Sequence, residues 1–179
     1  MSQLKVDSIV PVAGAPTDGG GGVIQFKQTR KTDTFSRNSS NSDFGDVTGL
    51  NVSITPKSST SRMVVLVSLC SAGNTNQRIW YRIKKVISGG GTDVTWAVAD
   101  AAGDRPRASA TIQPPGGNSI VYFGGCFDHV SGTTSQITYT IQVGAESSQP
   151  HRVNRSNDDS NSVNVARGMS TISVMEVSA

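Results

Sequence analysis

Charge is scarce in this chain: Lys, Arg, Asp and Glu make up 16% of it, against the roughly 25% of ordinary globular domains. Solvent-facing helices need those side chains. Their shortage, beside abundant Ser, Thr, Asn and Gly, argues against a helical protein and for strands and turns. Long apolar runs are missing as well. No stretch approaches the ~20 residues that cross a bilayer as a helix, and the first residues have neither a basic n-region nor a continuous apolar h-region, so neither a membrane span nor a secretory signal is expected. The net charge is only +3 and is spread without a basic tract, which argues against a specific nucleic-acid partner.

Histidine and cysteine are nearly absent, two of each, and most site chemistry goes with them. A zinc site wants three or more closely spaced ligands, whereas His129, His151, Cys70 and Cys126 stand singly. A Ser or Cys nucleophile needs a base within reach; neither histidine lies in a motif and no G-x-S-x-G elbow is present. The run Gly19 to Gly22 lacks the Lys and the spacing of a phosphate loop, and Asn157-Asp158-Asp159-Ser160-Asn161 lacks the central Gly and closing Glu of a calcium loop. Asp100, Asp104 and Asp128 are the carboxylates to check as a glycosidase pair, though turn aspartates are the plainer reading. The expectation is a protein that is not an enzyme and takes no metal and no cofactor. Cys70, in the apolar run from Met63, and Cys126, after Gly124-Gly125, read as small core residues with free thiols, with a disulfide between them as the alternative. Free thiols fit assembly in a cytoplasm.

What the chain does have is alternation. Its 179 residues suit one domain, and from Val23 onward period-two apolar patterns recur between turn signals. Ile24-Phe26 opens one strand. Leu50, Val52 and Ile54 share a face of the next, and Met63 to Cys70 is apolar on both faces, as in a central or interface-covered strand. Ile79, Tyr81 and Ile83 alternate with Trp80, Arg82 and Lys84, and Gly89-Gly90-Gly91 with Asp93 turns the chain into a strand through Val94, Trp96 and Val98. Ala108-Ala110-Ile112, Ile120-Tyr122, Ile137 to Val143 and Ile172-Val174 continue the pattern, with Arg155 to Asn164 as an exposed loop. Roughly nine strands result, an all-β, jelly-roll-like β-sandwich over residues 23–179.

Residues 1–22 read differently. Leu4, Val6, Ile9 and Val12 are too few to close a core, and the following glycines have the backbone freedom of a tether. The segment is expected to be an extended N-terminal attachment arm with a glycine-rich hinge, and a passive leader is the alternative. The two-faced run from Met63 asks for cover on both sides, from a homo-oligomer or from a sandwich curling on itself. Trp96, Arg105, Arg107, Arg152 and Arg155 are the candidates for outward-facing binding residues, since Trp stacks on apolar faces and Arg supplies a forked donor.

Several segments carry a resemblance. Leu4-Lys5-Val6-Asp7-Ser8-Ile9 before a Gly-rich break, Gln25 to Thr34, Leu50 to Pro56, Asp100-Ala101-Ala102-Gly103-Asp104-Arg105 and Val153-Asn154-Arg155-Ser156 are similar to tail-fibre and virion-surface proteins of tailed bacteriophages, particularly of cyanobacteria. The resemblance spans nearly the whole chain and implies a virion structural protein on the particle surface, assembled in the host cytoplasm, trimeric, and bound to other virion proteins through its arm. No coiled-coil heptad or collagen-like shaft is present, so capsid decoration (cement) or a short fibre knob fits better than a long tail fibre. A receptor-binding fibre tip that recognises host surface polysaccharide is the alternative.

Overall fold

The computed structural model describes residues 22–39, 43–75, 77–146, 148 and 150–179. Among them there is no helix, and eleven strands follow in order: β1 (Val23–Lys31), β2 (Phe35–Asn38), β3 (Gly45–Ile54), β4 (Arg62–Ala72), β5 (Ile79–Ile87), β6 (Thr92–Asp93), β7 (Ala110–Ile112), β8 (Val121–Val130), β9 (Ile137–Ala145), β10 (Pro150–Val153) and β11 (Ser170–Val177).

Three pairs are collinear. β11 and β10 pair with successive stretches of one edge of β4, while β8 takes the other edge. β1 and β2 continue that split one row outward, and β6 and β7 share the free edge of β5. The eleven strands therefore make eight rows. Numbered in chain order, the first sheet runs 1-8-3-6 and the second 2-7-4-5, the strand order of a jelly roll. The expected all-β sandwich is what forms, and the final strand returns beside the first, antiparallel to it.

The core lies between the sheets. Met63, Val65, Val67 and Leu69 point inward from β4, Ile172 and Val174 from β11, Ile79, Tyr81 and Ile83 from β5, and Ile137, Tyr139, Ile141 and Val143 from β9. Each such side chain contributes about 1.5–3 kcal/mol by leaving water. Tyr81 stacks on Phe123 at 5.6 Å, and its hydroxyl donates to Ser71 Oγ at 2.6 Å. At one end Trp96, Phe127, His129 and Tyr139 close the gap between the sheets, with His129 Nε2 2.7 Å from the Tyr139 hydroxyl.

Asn154 holds the broken rows of the first sheet together. Its φ of 64° puts it in the left-handed region that Asn tolerates better than most residues. Its amide donates to the carbonyls of Lys31 and Asp33, both at 2.9 Å, and its side-chain oxygen accepts from Ser170 Oγ at 2.6 Å. One buried side chain thus satisfies the backbone where β1 gives way to β2 and ties the end of β10 to β11 through Ser170.

Three expectations are corrected. Val94, Trp96 and Val98 form no strand: the Asp93 carboxylate accepts from Thr95 N at 2.8 Å and from Thr95 Oγ1 at 2.9 Å, bending the chain out of the ladder after two residues. Arg152, expected to face outward, lies half-buried in strand β10 beside the buried His151. Cys70 is buried, but Cys126 is exposed, opposite Leu66 on the outer face of edge strand β8; both thiols are free.

Candidate functional site

The alternation of β5 sends Trp80, Arg82 and Lys84 to the outside of the second sheet. Trp80 lines a cleft of about 700 Å³ between β5, β7 and the 94–109 loop, with Arg78, Arg105 and Pro106 on its sides and Ala99, Ala108 and Ala110 among its apolar walls. Arg107 braces the loop by donating from Nε to the Ala99 carbonyl at 2.8 Å, and Arg105, two residues earlier, lines the cleft. Arg78 is held by Glu146 at 2.7 Å.

Trp96 turns inward. Its indole N–H donates to the Ile83 carbonyl at 3.0 Å, and its ring meets His129 at 4.9 Å, Tyr139 at 5.7 Å and Phe127 at 6.4 Å. It is a packing residue, and the tryptophan that opens to a cavity is Trp80. Arg152 is half-buried, with Nη1 donating to the Pro150 carbonyl at 3.1 Å. Arg155 reaches Ser36 Oγ at 3.1 Å and Asp159 at 3.5 Å, and Arg167 also engages Asp159. Arg105 and Arg107 therefore gather on the second sheet, and Arg152 and Arg155 beside β2 on the first. The signal for Trp80 was its place on the polar side of an alternating strand.

The two outer faces differ. On the second sheet Asp46 receives Lys84 and Gln142, Gln142 receives Arg82 at 2.7 Å, and Arg82 lies 4.1 Å from the ring of Phe44. On the first sheet the cross-strand row Phe26, Met175 and Val64 is apolar, with Leu66 in the next row and Val23 and Val177 on the other side. Phe26 is 53% exposed and Val23 56%. The part of Met63 to Cys70 that points away from the core thus lies in a surface patch at the start of β1.

The proposed attachment residues Leu4, Val6, Ile9 and Val12 lie outside the described residues. Asp128, on β8, pairs with Arg62 of β4, while Asp100 and Asp104 sit in the loop carried by the other sheet, so Asp128 stands apart from the other two candidates. Among the described residues no three His, Cys, Asp or Glu side chains gather as a metal site.

No family model matches the chain. No curated protein matches it in sequence. Solved structures similar to it include two of a virus. A chain in the structure of infectious bursal disease virus Gt strain aligns over 98% of this chain and 43% of its own length, with a TM-score of 0.47 and 14% identity. One in the structure of the Gx strain aligns over 94% of this chain and 44% of its own length, with a TM-score of 0.40 and 10% identity. The chain spans less than half the length of either.

Proposed function

We propose that the chain is a non-enzymatic virion structural protein of a tailed bacteriophage, a capsid decoration (cement) protein or short fibre knob that residues 1–22 hold on the particle. The observation that carries this reading is the contrast between a core closed within the described residues and an apolar outer face at the point where residues 1–22 join β1. A second copy covers that face in a symmetric oligomer, a trimer in the resembling phage proteins. Copies packed there bring their arms together, so that several weak attachments act as one strong one.

Deleting Met1 to Gly22 tests the reading. The truncated protein should melt within a few degrees of the full chain but fail to enter particles assembled in its presence; incorporation at the full level would overturn the arm's role. A second reading, a receptor-binding tip that meets host surface polysaccharide, draws support from the cleft at Trp80 and Arg105.

A further inference from the structure

The two tryptophans set the cleft apart. Trp96 has three ring neighbours and a hydrogen bond, whereas Trp80 is half-buried and has no ring partner and no hydrogen bond for its indole N–H among the described residues. Arg105 has no side-chain acceptor among them either, while its neighbour Arg107 is tied to the loop backbone. Among the described residues no carboxylate lines the cleft, and its volume of about 700 Å³ suits a ligand of a few rings.

We propose that this cleft binds an acidic sugar residue, a pyranose bearing a carboxylate, within a polysaccharide chain. The inference rests on the second reading above and names its ligand. Trp80 offers an apolar plate to the C–H face of the ring. Arg105 offers a fork that matches a carboxylate with two parallel N–H donors. Arg78, fixed by Glu146, keeps further N–H groups for ring hydroxyls. An amine or metal cation would meet the unpaired guanidinium of Arg105, with the Glu146 carboxylate already engaged by Arg78, and a wholly apolar ligand would strip water from Arg105 without replacing it. The small side chains of Ala99, Ala108 and Ala110 leave the room that a ring needs.

The test titrates the full chain with a galacturonic-acid oligosaccharide, a neutral galactose oligosaccharide of equal length and a single-stranded oligonucleotide, read by tryptophan fluorescence and calorimetry. The acidic sugar should bind saturably and weaken as salt rises, and Arg105→Ala and Trp80→Ala should each lower its affinity about tenfold or more. Arg105 stands in an exposed loop, so its variant keeps the fold, and Arg30→Ala on the other sheet should change nothing. Equal affinity for the neutral sugar, tighter binding of the oligonucleotide, or acidic-sugar binding untouched by both cleft variants would overturn the proposal. Adsorption of the full chain to host cells separates the two readings. If Arg105→Ala and Trp80→Ala adsorb as well as the parent, the cleft proposal fails and the receptor reading stands; if the parent does not adsorb, the receptor reading fails.

Discussion

In the second sheet the side chains that face water hold one another, through Asp46, Lys84, Gln142 and Arg82, and the inner face is apolar. The first sheet differs. Beside the Arg62–Asp128 pair its outer face shows Phe26, Met175 and Val64, while further ionisable groups lie on its inner side: Glu176 and His151 are fully buried and Lys31 nearly so. A face laced with polar pairs is complete in water, whereas an apolar face opposite buried charges fits a sheet that meets another protein surface. Four measurements bear on that difference.

The largest effect is expected on the apolar face. Changing both Val23→Glu and Phe26→Glu puts two charges where a second copy should pack, and should weaken self-association by about 4 kcal/mol, roughly a thousandfold. Sedimentation should then show monomer, and its melting temperature should match that of the parent measured dilute enough to be monomeric, since both side chains face solvent in one copy. Unaltered association would move the contact elsewhere.

Acid should act through the inner side of the same sheet. Burial pushes the His151 imidazole down from 6.5 to about 4, and Arg37 and Arg152 add to the effect. The unfolded chain takes up that proton near pH 6.5 and the folded chain only near pH 4, so stability is full above pH 6.5 and falls as pH drops towards 4. The loss amounts to roughly 3 kcal/mol. Denaturant midpoints across this range should show the slope, and His151→Gln should flatten it.

Glu176→Ala should cost about 2 kcal/mol, because the buried carboxylate accepts from Lys57 N at 2.7 Å, Ser58 N at 3.3 Å and Gln25, and its loss strands these partly buried donors beside an empty space. The smallest change belongs to the second sheet. Asp46→Ala removes the Lys84 and Gln142 contacts from a half-exposed group and should lower stability by about 1 kcal/mol or less with no change in association. A larger loss from Asp46 than from Glu176 would erase the contrast between the sheets.

The fold was legible where alternation was long. Leu50-Val52-Ile54 and Ile137 to Val143 name their own inner faces, and the two-faced run from Met63 identified the central row. Breaks were harder to read. β2 and β10 are four residues each and hold Arg37 and His151, so neither has an apolar period to detect, and their pairing depends on Asn154, whose partners are 123 and 121 residues away. The site divided in the same manner. Arg105 was visible as an arginine in a Pro-containing loop, but the exchange of Trp96 for Trp80 turns on the Asp93 bend, a local hydrogen bond that propensity does not report.

The position of β11 has a consequence for synthesis. The last of the eleven strands is an interior row of the first sheet, with β1 on one side and β4 on the other. Until residues 170–177 leave the ribosome, the strand made first has no ladder to join, and the edge of β4 stands open to any passing strand. This sheet therefore closes only after β11 has emerged, slowed by contacts between distant parts of the chain. A nascent copy is most exposed to mispairing with its neighbours just before β11 arrives.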